Sequence, residues 1–376
     1  MRIRYLTAGE SHGKALVSII EGIPAGLKLD RSFMNGELSR RMKGYGRGGR
    51  MKIERDRVEI LSGIRKGKTL GSPIALLVKN RDFKIENLRA VNCPRPGHAD
   101  LAGALKFGER DMRNILERAS ARETASRVAA GAVCKLLLSE FGVDFASHAV
   151  VIGGITSDPA ELSFARIKSL SERSNVRCVE KEASKLMRLE IDRAKDSGDT
   201  LGGVFEVIIK GVPPGLGSYT QRDKRLDSSL AGAVMSIPGI KGVEIGAGFG
   251  VSFARGSEIH DEIFYDRKKK VFIRKTNRSG GIEGGVSNGE NIVLRAAMKP
   301  IATLMNPLVS VNIRTKKRTA AQVERSDVCV VPAAGVIAES ALSVEIARSF
   351  MEKFGGDSLA EVRRNYGGYI RQVRRI

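Results

Sequence analysis

With four histidines in the chain, each can be weighed singly. His12 lies in GESHG (9–13) and His98 in PGHAD (96–100), both polar, glycine-flanked loops. An unperturbed imidazole titrates near pH 6.5, which suits proton transfer at neutral pH. A lone loop histidine is more often surface decoration, and that plainer reading is kept for His148, at the start of a strand, and His260, in a charged turn. Ser11 beside His12 cannot form a nucleophilic pair by adjacency, and GESHG lacks the G-x-S-x-G spacing of a hydrolase elbow. No H-x-x-x-H, thiol pair or carboxylate cluster marks a metal site. Arginines are the stronger signal. Arg40, Arg41, Arg47, Arg50, Arg95, Arg118, Arg122 and Arg325 lie beside Gly, Pro or expected helix ends. Their planar forks suit phosphate and carboxylate. If they converge, the ligand carries several anionic groups. A general basic surface is the competing explanation, given the net charge of +22.

The element that must position these groups is RASARETASRVAAGAVCKLLLSEF, residues 118–141. Ser120 and Glu123 have the spacing of a capping box. Ala125, Val128, Ala129, Ala132, Val133, Leu136 and Leu137 then recur at i, i+3, i+4, the stripe of a buried helix. Gly142 is its stop. Arg118 and Arg122 flank the start, where acidic residues would suit the helix dipole better. Free amides and two guanidinium groups make an anion site there; a solvated helix end is the alternative.

The remaining chain mixes both element types. Residues 15–20, 58–61 and 74–78 read as strands, and 31–42, capped by Asp30, as a helix. A helical stretch runs from about 101 to 117. DFASHAVVIGGI and GGVFEVIIK read as strands, residues 226–235 as a helix, and KGVEIGAGFGVSF as a strand pair. Residues 266–276 read as an exposed basic hairpin. NIVLRAAMKP and PLVSVNI follow as strands, 333–353 as a long helix, and NYGGYIRQVRRI as a basic tail. The class is α/β or α+β.

The chain of 376 residues is 42% hydrophobic and 28% charged, enough for a large core. Nucleic acid, an anionic membrane surface or an anionic small substrate could each explain the charge. A nucleic-acid module would interleave aromatics with the basic residues; aromatics are 5% and Trp is absent. The cysteines, Cys93, Cys134, Cys178 and Cys329, form no C-x-x-C pair. No signal core opens the sequence and no run reaches the ~18 apolar residues of a membrane span. The expectation is a soluble cytoplasmic protein. Much of the glycine excess lies in short polar clusters, the densest at 277–292. It lacks the strand-to-helix context of a dinucleotide fingerprint, though its amides could hold a phosphate or a flat ring.

Nine motifs in order resemble the chorismate synthase family: GESHG (9–13), GRGGR (46–50), RPGHAD (95–100), RASARETASRVAAG (118–131), SGDTLGG (197–203), SIPGIKGVEIGAGF (236–249), NRSGGIEGGVSNGE (277–290), KPIAT (299–303) and RSDVCVVPAAGVIAES (325–340). The departures are small: SIPG before KGVEIG, and the length of the basic hairpin. The resemblance implies a β-α-β sandwich core in a single domain over residues 1–376, assembled as a homotetramer. It implies anti 1,4-elimination of phosphate and a ring hydrogen from 5-enolpyruvylshikimate 3-phosphate, giving chorismate for aromatic amino acid biosynthesis. Reduced FMN is then the cofactor, without net redox change. NADPH is a candidate source of reducing equivalents and an external flavin reductase a candidate partner. Nucleic acid, membrane and metal have no part.

Residue by residue, the resemblance puts Arg47, Arg95, Arg122 and Arg325 around the substrate, with Arg41 and Arg47 near a nicotinamide dinucleotide. Arg118, Ala119, Ser120, Pro238, Gly239, Gly284, Lys299, Pro300, Ile301, Ala302, Thr303 and Arg325 match flavin-contacting positions. His12 and His98 match histidines that handle protons on the flavin and the departing phosphate. Asp327 matches an acid that helps remove the ring proton through the flavin. An ordinary flavin reductase is the rival reading; it would consume NAD(P)H with turnover.

Overall fold

The computed structural model describes residues 3–49, 53–158, 162–268 and 270–376. Alternating apolar and polar side chains build a first sheet from β1 (Arg4–Ala8), β2 (Ala15–Glu21), β3 (Val58–Ile60) and β4 (Ile74–Lys79), in the order β1-β2-β4-β3. Leu16, Ser18 and Ile20 of β2 and Ile74, Leu76 and Val78 of β4 point inward with the period of two that a one-sided sheet needs. The second sheet contains β5 (Asp144–Ile152), β6 (Ile155–Thr156), β7 (Gly203–Lys210), β8 (Ile240–Ile245) and β9 (Ile292–Met298), ordered β8-β9-β7-β5-β6. Every pairing in both sheets is antiparallel.

The helices are α1 (Arg31–Met42), α2 (Asp100–Phe107), α3 (Arg113–Ala119), α4 (Thr124–Ser139), α5 (Phe164–Arg173), α6 (Lys181–Asp196), α7 (Leu226–Met235), α8 (Val331–Phe354) and α9 (Leu359–Val373). Between the sheets, α4 packs on α1, α8, β2 and β4, while α8 packs on β5 and β7. The result is the expected sandwich of sheet, helices and sheet. One cluster of buried apolar side chains runs from Ile3 to Val362 through all three layers.

The α4–α8 approach is close because the facing residues are small. A Cβ on Gly131 would come within 2.5 Å of Ser340 Cβ and 2.6 Å of its carbonyl oxygen. Ser343 Oγ donates to Gly131 O at 3.0 Å. Polar anchors sit in the same layer. Glu339 of α8, fully buried, accepts from Arg40 (2.7 and 2.8 Å), Lys135 (2.6 Å) and Ser147 (2.6 Å). Burial alone would raise its pKa; Arg40 and Lys135 overturn that and hold it well below the carboxylate range. One carboxylate thereby ties α1, α4, α8 and β5 together.

Several local expectations need correction. Ser120 caps a single 3₁₀ turn, Ala121–Glu123, by accepting from Arg122 N at 3.3 Å. Glu123 pairs forward with Arg127 at 2.8 Å and the capping box is not made. Helix α4 is buried on nearly all sides, with Thr124, Ser126, Ala130, Gly131 and Lys135 inside as well as the apolar stripe. The 101–117 helix breaks after Phe107 at Gly108, whose φ of +66° is the left-handed stop. The second half of the 241–253 strand pair is a 3₁₀ segment, Gly248–Phe253. The basic tail is helix α9, docked by Leu359, Val362 and Tyr366, whose ring lies 5.2 Å from those of Phe141 and Phe354. His148 lies mid-strand, buried, with Nε2 3.0 Å from Glu206 Oε1.

Candidate active site

At one edge of the helix layer, loops from both sheets meet around a cavity of about 250 Å³. Each loop is held by a specific anchor. The buried Asn80, after β4, donates from Nδ2 to the carbonyls of Glu10, Ser11 and Gly13 at 3.1, 3.2 and 2.7 Å, shaping the turn that carries His12. The 299–303 loop is pinned by Lys299 N on Gly239 O at 2.9 Å and Thr200 Oγ1 on Ile301 O at 2.8 Å. Lys299 Nζ reaches Gly97 O and joins that loop to the His98 loop.

His12, His98, Asp327, Arg41, Arg47, Arg95, Arg122, Ala119, Ser120, Pro238, Gly239, Lys299, Pro300, Ile301, Ala302 and Thr303 all line this cavity. Three other site candidates do not. Arg118 turns away and donates to Gly9 O (2.8 Å), Thr7 O (3.0 Å) and Thr7 Oγ1 (2.8 Å), closing the GESHG loop onto β1. Gly284 lies in a turn beside Tyr219, with its carbonyl accepting from Arg225 at 3.3 Å. Arg325 lines an adjoining cavity of about 380 Å³ that shares His12, and its guanidinium pairs with Asp82 at 2.8 Å. Arg40 belongs to the interior Glu339 cluster. Arg50 lies outside the described residues.

The cations are held by carboxylates that the sequence did not single out. Arg122 Nη1 lies 2.7 Å from Asp56 Oδ2, and its Nε donates to Asn80 Oδ1 at 2.9 Å. Its Nη2, 3.5 Å from Glu54, makes no hydrogen bond among the described residues. Arg41 shares Asp56 at 3.5 Å and donates to Thr124 Oγ1 at 2.9 Å. Burial, with Arg122 and Arg47 beside it, lowers Arg41 to about 9 despite Asp56. Arg95 grips Asp100 through Nε (2.8 Å) and Nη2 (3.0 Å), and Thr303 through Nη1 (2.8 Å). Arg47 lies 3.3 Å from Asp327, whose other oxygen accepts from Gly48 N at 2.5 Å.

The histidines have carboxylate partners too. His12 Nδ1 lies 3.0 Å from Glu117, and its Nε2 3.9 Å from Asp82. His98 Nδ1 lies 2.5 Å from Asp100. Burial would raise Asp82, Asp100 and Glu117, but ion pairs and hydrogen bonds from His12, His98, Arg95, Lys84 and Arg113 outweigh it and hold all three below the usual range. Burial and the nearby Lys241 lower Lys299. Glu117 and Asp100 were legible only as members of the motifs, one just before RASARE and one closing RPGHAD. Among the described residues, no three His, Cys, Asp or Glu side chains are placed to hold a metal ion.

The apolar part of the lining is made by Ile237, Pro238, Met298, Ala333, Ala334 and Ile337. The cavity thus offers cations, proton carriers and apolar side chains together. The family model described as chorismate synthase matches residues 3–351. The chain belongs to the chorismate synthase family. Proteins named chorismate synthase from Geobacter metallireducens and Symbiobacterium thermophilum are each 54% identical over 391 residues, covering 99% of this chain and 99% and 100% of theirs. A chorismate synthase crystal structure superposes with a TM-score of 0.83 at 43% identity, covering 100% of this chain and 99% of that one. Chorismate synthases are lyases of aromatic biosynthesis that act on a small substrate with a flavin, and this chain is an enzyme of that class. Among the described residues no helix is long and apolar enough to cross a membrane.

Proposed function

We propose that the cavity binds 5-enolpyruvylshikimate 3-phosphate together with reduced FMN and catalyses the anti 1,4-elimination of phosphate and a ring proton, giving chorismate with no net redox change. The observation that carries this reading is the convergence of His12, His98, Asp327, Arg47, Arg95 and Arg122, from widely separated stretches, on one cavity with apolar side chains in its lining. A substrate with one phosphate and two carboxylates needs several planar cationic forks.

The residues fit the flavin as well. Ala119, Ser120, Pro238, Gly239 and the 299–303 loop would hold it, with Ile237, Met298 and Ala334 against its ring. When bound, reduced FMN supplies electron density to the substrate as phosphate leaves. This chain's groups handle the charge and the protons. Arg47, Arg95 and Arg122 bind and orient the anionic groups. The imidazoles of His12 and His98 donate or hold protons at Nε2, offsetting charge on the leaving phosphate and fixing the ionisation of the cofactor. The Asp327 carboxylate, oriented by Gly48 N, would assist removal of the ring proton. Arg41 and Arg47 would lie near a bound nicotinamide dinucleotide. Arg118, Gly284 and Arg325 remain in the proposed binding set with secondary parts: Arg118 supports the His12 loop and Arg325 guards the adjoining cavity.

The same reading has the chain fold as one domain, work as a homotetramer in the cytoplasm, and take its reduced flavin either by its own use of NADPH or from an external reductase. Incubated anaerobically with substrate and chemically reduced FMN, the protein should release phosphate and chorismate in equal amounts. Phosphate release without chorismate would refute the elimination.

A further inference from the structure

Both cavity histidines are gripped on the same ring atom. Glu117 Oε1 and Oε2 each lie 3.0 Å from His12 Nδ1, and Oε2 also accepts from the His12 amide at 2.8 Å. Asp100 Oδ1 lies 2.5 Å from His98 Nδ1, while its Oδ2 accepts from the Arg95 amide at 3.1 Å and from Arg95 Nε at 2.8 Å. Each carboxylate thus fixes a ring and the backbone of the loop that carries it. The carboxylate side chains are 1% and 0% exposed; the rings they hold are 14% and 20% exposed and line the cavity. A carboxylate only accepts, so a neutral ring facing it places its proton on Nδ1. We propose that Glu117 and Asp100 are positioning residues that hold His12 and His98 as Nδ1–H tautomers and leave Nε2 to the cavity as the atom that gives or takes the proton.

Other charged groups face these rings. Asp82 lies 3.9 Å from His12 Nε2 and is itself paired with Lys84 and Arg325; Arg113 lies 3.5 Å from Glu117. Arg95 Nη2 lies 3.0 Å from His98 Nδ1, and Lys299 reaches Gly97 O. Arg95 makes the alternative concrete: if its N–H donated to Nδ1, His98 would carry its proton on Nε2. The same Nη2 also lies 3.0 Å from Asp100 Oδ1, which gives it an acceptor and leaves Nδ1 to Asp100.

The tautomers can be read without turnover, so this inference and the functional reading on which its catalytic meaning rests fail separately. Four histidines give a small set of signals. The full-length protein, ¹⁵N-labelled at histidine, is held above about pH 8, where an ordinary imidazole is neutral. Long-range ¹H–¹⁵N spectra, assigned by loss of signals in His12→Ala and His98→Ala, should show protonated Nδ1 and bare Nε2 at both positions. Either ring with its proton on Nε2 in the wild-type protein overturns the proposal for that residue, whether or not any variant folds. Glu117→Gln and Asp100→Asn keep the shape but present an amide that can donate to Nδ1. In the folded variants the affected ring should switch to Nε2–H, and kcat should fall about tenfold or more while KM changes little, as expected when a base is held in the wrong tautomer. A switched tautomer with wild-type kcat would overturn the catalytic part. Correct tautomers in a wild-type protein that makes no chorismate would sink the functional reading and leave the positioning standing.

Discussion

At the residue scale, the site is a set of cations and imidazoles made usable by buried carboxylates. His12 and His98 were visible because so few histidines occur and both sit between glycines. Their partners were not visible, because a Glu in a helix or an Asp at a helix start has many bland uses. General acid–base groups contribute about 10²–10⁴-fold, so His12→Ala, His98→Ala and Asp327→Ala should each lower kcat at least about tenfold in protein that still folds and binds FMN. Circular dichroism and flavin titration alongside steady-state kinetics check this; wild-type kcat in any of them would remove that residue from the mechanism. His260→Ala should leave kcat within about twofold, the small effect expected of a group with no part in proton transfer. His148→Ala is different in kind. Its ring is buried against Glu206, which also pairs with Arg295 at 2.8 Å. The variant should keep its kcat but melt earlier, because a buried carboxylate loses one of its partners.

At the element scale, α4 and α8 form the wall and the frame of the site. The 3.6-residue pattern gave α4 its place, yet not its burial on all sides, because alanine, glycine and serine carry little hydropathy signal while allowing close packing. The two sheets were legible as alternating strands. Residues 365–376 read as a basic tail because Gly367, Gly368 and the arginines mask a helix that starts earlier, at Leu359, and docks through Leu359, Val362 and the partly buried Tyr366. Gly131→Val should destabilise by about 1–3 kcal/mol, the usual cost of overpacking, since the first added carbon already meets Ser340. An unchanged melting temperature would contradict the close approach. Glu339→Ala leaves Arg40 and Lys135 with Glu37 as their remaining shared carboxylate, 2.9 and 2.5 Å away, and leaves several buried donors unfilled; it should cost about 1–3 kcal/mol, measured by denaturant unfolding. A cost near zero would mean that the cluster does not tie the helix layer together.

At the scale of the whole molecule, charge and topology work together. Site residues run from His12 to Asp327, so distant parts of the sequence must fold together to make one cavity. Limited proteolysis that released two stable halves would contradict a single folding unit. The net charge of +22 is largely a field over the surface, because the cavity arginines lie against carboxylates, Arg41 and Arg122 sharing Asp56. Exposed charges are screened over about 8 Å at physiological salt, so added salt should raise KM for the anionic substrate more than it lowers kcat; a flat KM would argue against steering. Asp82, Asp100 and Glu117 are held below their ordinary range. Their contribution to stability is therefore complete above the unfolded carboxylate pKa of about 4 and is lost as pH falls below it, so the melting temperature should drop on acidification and the drop should be smaller in Asp100→Asn and Glu117→Gln combined, the remainder coming from Glu339, Glu206 and the other lowered carboxylates. The central claim is an elimination that needs a reduced flavin and does not consume it. Its most direct test is anaerobic turnover of 5-enolpyruvylshikimate 3-phosphate with reduced FMN, with oxidised FMN and with none, following chorismate and flavin absorbance together. Many turnovers of chorismate per flavin, only with the reduced form and with the flavin still reduced at the end, is the predicted result. Chorismate at full rate without flavin, or one flavin oxidised for each product formed, would contradict it.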